Sequence, residues 1–204
     1  MKKQVVVIHG GDAHNSYKQY LNELRRERAD KEDFLPDLER RWRDRLPEAL
    51  GEGYEVFLPK MPNPVSAKYI EWKIWFDKLM PYLGEGPVFV GHSLGGIFLA
   101  RYFAENPDKK KARAVMLVAP PFKDKDSREK IADFILPKDL SRLAKLGERL
   151  HIYASEDDPV VSFASFKKYA KLLPDAMTTI FKDRGHFRLT EFPEIVRDIM
   201  EAFA

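Results

Sequence analysis

The chain of 204 residues has no cysteine. That excludes disulfides, thiolate nucleophiles and cysteine-ligated metal, and it agrees with a reducing, cytoplasmic setting. Long apolar runs are also missing. Two lysines at the N-terminus lead only into Val5-Val6-Val7-Ile8 before His9-Gly10-Gly11, which is too short for the apolar segment of a signal peptide. No apolar stretch approaches the ~18 residues that span a bilayer, so no membrane partner is expected. Charge of one sign is scarce too: 35 Lys and Arg oppose 32 Asp and Glu, a net charge of +3. The densest basic run, Lys109-Lys110-Lys111-Ala112-Arg113, lacks interleaved aromatics. It reads as a solvated loop and not as a nucleic-acid surface. No repeat or low-complexity linker divides the chain, and its length suits one domain over 1–204.

What the chain does have is alternation. Apolar, β-rich runs start near Val5, Tyr54, Pro87, Ala114, Leu150 and Met177, and a helical pattern follows each of them. This predicts a single-domain α/β fold: a six-stranded, mainly parallel sheet with helices on both faces. Unbroken runs such as Ala114-Val115-Met116-Leu117-Val118 suit strands covered on both sides. Trp72, Trp75, Phe76, Leu79 and Leu83 recur at helical spacing and read as a core stripe, on a helix that Ser66 can cap. Residues 17–50 are unusually charged for a connection between strands. Tyr20, Leu21 and Leu24 begin one helix; Pro36 starts a second stretch carrying Leu38, Trp42, Leu46 and Leu50. A charged helical insertion over about 22–45 is therefore expected at the rim of the sheet. The stretch 120–147 suits a small flap and is too short for a large cap domain.

The most informative stretch is Pro87-Val88-Phe89-Val90-Gly91-His92-Ser93-Leu94-Gly95-Gly96, a strand, a tight turn and the start of an apolar helix. Gly91-His92-Ser93-Leu94-Gly95 fits the G-x-S-x-G nucleophile elbow, in which a serine sits at the apex of a strand-to-helix turn. The flanking positions are glycine because a side chain there would meet neighbouring backbone. The helix that follows aims its first amides, Leu94's among them, at an oxyanion formed on attack. His9-Gly10-Gly11, after the first strand, places Gly11 as the second candidate oxyanion donor.

Serine is a weak nucleophile without a base, and the base needs an orienting acid. Of the five histidines, His9 and His14 precede the elbow, His151 opens a strand, and His92 lies inside the elbow, where it should point away from the serine's partner. His186 follows the last strand and fits the order Ser, acid, His. The acid falls within Glu156-Asp157-Asp158. Asp158 precedes a proline, which favours an extended backbone and an outward carboxylate; Asp157 is the second candidate.

Together, Met61-Pro62-Asn63-Pro64, Gly91-His92-Ser93-Leu94-Gly95, Asp157-Asp158-Pro159 and Gly185-His186-Phe187 resemble the small serine hydrolases related to retinoblastoma-binding protein 9. The resemblance extends from Val5 over most of the chain. It implies a minimal α/β-hydrolase sheet lacking the first two strands of larger members, with Ser93, Asp158 and His186 as the triad. The charged stretch at 22–45 is longer than that family leads one to expect. The animal relative's pocket-protein motif, L-x-C-x-E, needs a cysteine this chain does not have, so that partner role does not transfer. The expected activity is cofactor-free and metal-free hydrolysis of a small acyl ester. An amide-cleaving or acyl-transferring enzyme with the same triad, or a non-catalytic protein-binding module on the same fold, is the alternative. A base that must be neutral to accept a proton makes activity fall in acid.

Overall fold

The computed structural model describes residues 2–35, 39–106, 112–123 and 130–204. The basic run at 109–111, along with Pro36 and Leu38, lies outside them. Six strands form one sheet: β1 (Lys3–Ile8), β2 (Tyr54–Phe57), β3 (Val88–His92), β4 (Ala114–Val118), β5 (Leu150–Ser155) and β6 (Met177–Phe181). Their order is β2-β1-β3-β4-β5-β6, and every pairing is parallel. The chain leaves β1 for β2 on one side and returns through β3 on the other. The strand order thus reverses between β1 and β3, and open α/β sheets bind ligands in the crevice beyond the carboxyl ends at such a point. In register, Ile8 lies opposite Gly91, so His9-Gly10-Gly11 leaves the sheet beside His92 and Ser93.

The two faces of the sheet are packed by alternate residues, as the two-residue period of a strand requires. Val6, Ile8, Phe89 and Leu117 meet α3 (Tyr69–Leu79), α4 (Leu94–Glu105) and α6 (Phe163–Leu172). Val5, Val7, Val88 and Val90 turn the other way, onto α2 (Trp42–Leu50) and α7 (Pro193–Ala202). Helix α1 (Tyr17–Arg26) buries no residue and lies peripherally, and α5 is the single turn Ser141–Ala144. Among the described residues no helix is long and apolar enough to cross a membrane.

Three local expectations need correction. Trp75 is 46% exposed and does not belong to the core stripe, which runs through Tyr69, Trp72, Phe76, Met80 and Leu83. Trp75 lies roughly a quarter-turn away from the centre of that stripe. Ser66 does not cap α3. The helix starts at Tyr69, whose amide is met by the carboxylate of Asp133 from a distant segment (3.2 and 3.3 Å). Helix α2 begins at Trp42, well after Pro36, because the Asp44 carboxylate accepts the Arg41 amide at 3.1 Å and closes the first turn there.

Candidate active site

Ser93 occupies a backbone conformation (φ 52°, ψ −119°) that a side chain rarely adopts. Regular structure on both sides holds it there. The Ser93 amide donates to Val118 O of β4 (2.9 Å), and Ser93 O accepts from Gly96 N (2.8 Å). A Cβ on Gly91 would stand 2.3 Å from Gly95 O, and one on Gly95 would stand 2.4 Å from Ile8 O. Only glycine at both positions lets the start of α4 press against the ends of β1 and β3. A Cβ on Gly10 would come 3.1 Å from Ser93 Cβ, so the loop after β1 runs directly alongside the serine.

His186 and Asp158 arrive from the loops after β6 and β5. His186 Nδ1 and Asp158 Oδ2 are 2.8 Å apart, with side chains only 4% and 2% exposed. Asp158 Oδ1 accepts from the amides of Val160 (2.8 Å) and Val161 (2.9 Å), which fixes the plane of the carboxylate. Asp157 faces elsewhere. Its Oδ1 accepts from the Ser155 hydroxyl (2.5 Å) and the Gly185 amide (2.9 Å), and these bonds, the hydroxyl's foremost, lower its pKa. Asp157 therefore ties the His186 loop to the end of β5. The loop turns sharply on both sides of the histidine: Gly185 takes φ 50°, which glycine adopts freely, whereas φ 54° at Phe187 is strained.

His92 does not point away from His186. Its ring centroid lies 5.0 Å from that of His186, and its Nε2 donates to the His186 carbonyl at 2.9 Å. At the end of β3 the imidazole is buried against the loop after β6, where a main-chain acceptor awaits it. The neighbouring carbonyl, Phe187 O, accepts the Trp42 indole N–H at 3.0 Å. Two side chains thus brace the backbone on which His186 sits. Sequence reasoning missed both; Trp42 carried only its apolar spacing, and nothing local marks its indole as a brace. On the opposite wall His9 Nε2 accepts from Met61 N (2.9 Å) while its Nδ1 donates to Gly10 O (2.6 Å), which sets the tautomer. Asp12 N donates to Pro64 O (2.8 Å), so the Gly10-Gly11 loop and the Met61–Pro64 loop form one rigid rim.

Burial lowers the pKa of His92 well below its ordinary 6.5, with the charge of His186 as the next cause. Burial also lowers His9 and His151. The unfolded chain then binds protons that the folded chain refuses, so these groups contribute full stability above pH 6.5 and lose it as pH falls below. Urea midpoints should be level above that pH and decline between about pH 6.5 and 5.5. A midpoint flat across that window would contradict the neutral, buried imidazoles.

Ser93, His186, Gly10 and Gly11 open on a common cleft of ≈ 460 Å³ whose other walls include Arg43 and Arg188. A strained serine at a strand-to-helix elbow, at the switch point of a parallel sheet, defines an α/β-hydrolase fold. Residues 38–194 match the serine hydrolase family model, and the chain belongs to that family. It is 28% identical over 147 residues to serine hydrolase RBBP9 of Rattus norvegicus, covering 71% of this chain and 76% of the relative. It is 24% identical over 208 residues to the hydrolase YdeN of Bacillus subtilis, covering 100% of this chain and 97% of the relative. The crystal structure of the ydeN gene product superposes with a TM-score of 0.75 at 22% identity, over 99% of both chains. A monoacylglycerol lipase of Paleococcus ferrophilus shares the fold, with a TM-score of 0.58 at 18% identity over 98% of this chain and 94% of the lipase.

Proposed function

We propose that this serine hydrolase is a carboxylesterase-type enzyme that cleaves small acyl esters through an acyl-enzyme on Ser93. His186 takes the Ser93 hydroxyl proton as the oxygen attacks the ester carbonyl. Asp158 keeps the proton of the base on Nδ1, so that Nε2 is the accepting nitrogen. The tetrahedral oxyanion is met by the amides of Leu94 and Gly11. Collapse breaks the ester C–O bond, and His186 returns its proton to the departing alkoxide. Water then attacks the acyl-enzyme with the same base, releasing the acid and restoring Ser93.

The observation that carries this reading is the 2.8 Å pairing of His186 Nδ1 with the buried carboxylate of Asp158, His186 itself lining the cleft onto which Ser93 opens. Leu94 is the first residue of α4, where helix amides have no intrahelical acceptor. In the facing loop Asp12's amide is already taken by Pro64 O, which favours Gly11's. The substrate is a small acyl compound, and none of the steps calls on a cofactor or metal. The test is turnover of p-nitrophenyl esters from acetate to octanoate beside matched p-nitroanilides. Short-chain esters should be hydrolysed fastest and anilides far more slowly. No turnover of any ester by folded protein would refute the proposal and favour a binding module on a hydrolase fold.

A further inference from the structure

The cleft beside Ser93 is cationic. Arg41, Arg43 and Arg188 line it, and Asp12 is the one acidic residue among the described residues that do so. Arg41 is engaged: it pairs with Glu39 at 2.5 Å and donates to Arg188 O at 3.4 Å. Arg43 and Arg188 are different. Neither guanidinium meets a carboxylate within ion-pair distance among the described residues. Both act on the groups around the serine, since Arg43 lowers His9 and His92, and Arg188 opposes the burial that raises Asp12. Arg43 is half-buried, and burial lowers its own pKa, so the fold holds this charge partly out of water at a cost. An arginine kept in a cleft in that way is suited to charge-assisted, two-pronged bonds with an anionic oxygen group.

Resting on the hydrolase reading above, we propose that the preferred ester carries an anionic oxygen group, a carboxylate or a phosphoryl group, which Arg43 and Arg188 hold while Ser93 attacks the ester carbonyl. The two arginines come from opposite ends of the chain. Arg43 is in the first turn of α2, and Arg188 stands two residues after His186. The charged stretch between β1 and β2 thereby acquires a purpose: it sets one arginine against the loop that carries the base.

The test compares kcat/KM for an ester charged on its acyl half (4-methylumbelliferyl hemiglutarate) with its neutral butyrate analogue. It repeats the comparison with the charge on the alcohol half, using 4-butyryloxybenzoate and its methyl ester. One of the charged esters should be preferred by 10-fold or more, about 1.4 kcal/mol. The ratio should fall toward 1 in the Arg43→Gln/Arg188→Gln double variant, and it should shrink in 0.5 M salt, as a partly exposed charge contact must. Glutarate and inorganic phosphate as inhibitors of the neutral reaction tell which oxygen group fits better. Hydrolysis of neutral esters with no preference for either charged ester would overturn the proposal and leave the hydrolase reading standing. Direct binding of the intact charged and neutral esters to the Ser93→Ala protein by calorimetry separates the two claims. Tighter binding of a charged ester, lost in the arginine double variant, supports the anion site whether or not Ser93 is the nucleophile; equal binding overturns it.

Discussion

Ser93→Ala is expected to lower kcat on a short-chain ester by on the order of 10⁵- to 10⁶-fold, leaving only what binding and the oxyanion amides supply. The size of the effect follows from the division of labour at the elbow. In the proposed reaction the serine side chain carries the attack, whereas the turn is built by the backbone: Ser93 N bonds Val118 O, and Ser93 O bonds Gly96 N. Alanine keeps both bonds and adds no atom. The variant should therefore unfold within about 1 kcal/mol of the parent in urea, so that lost activity cannot be charged to lost structure. A variant retaining more than about a hundredth of the parent's kcat would show that another group performs the attack.

Asp158→Asn should cost about 10⁴-fold in kcat. The carboxylate is oriented by the Val160 and Val161 amides on Oδ1, while Oδ2 faces His186 Nδ1. An asparagine in this frame keeps its carbonyl on the two amides and turns its NH₂ toward the imidazole. His186 Nδ1 must then accept, which moves the ring proton to Nε2, and a protonated Nε2 cannot take the serine's proton. Asp157→Asn removes charge without this reversal, because Oδ1 alone serves Ser155 and Gly185. Its expected loss is at most about 10-fold, mainly from a looser His186 loop. The opposite ranking of the two variants would make Asp157 the orienting acid.

The sheet was readable because each strand is a local apolar run, and strand–helix alternation leaves few topologies open. The elbow was readable for a related reason: the glycines that permit it stand two residues either side of the serine. What could not be read was side-chain direction at the ends of elements. His92 belongs to a strand by pattern, yet its ring bonds the main chain of a residue 94 positions later. The start of α2 depends on a short-range bond between Arg41 and Asp44 that apolar spacing does not register. Arg43 and Arg188 looked like two of 35 surface cations until the fold placed them on one cleft. Such groupings come from tertiary packing and leave no periodic trace.

The central claim is that Ser93 is an activated nucleophile. The most direct measurement is labelling of the folded protein with a fluorophosphonate probe, followed by mass spectrometry of the digested adduct. A nucleophilic Ser93 predicts one adduct, on the peptide that carries Ser93, and none in the Ser93→Ala variant. Folded protein that stays unlabelled, or an adduct on any other residue, would contradict it.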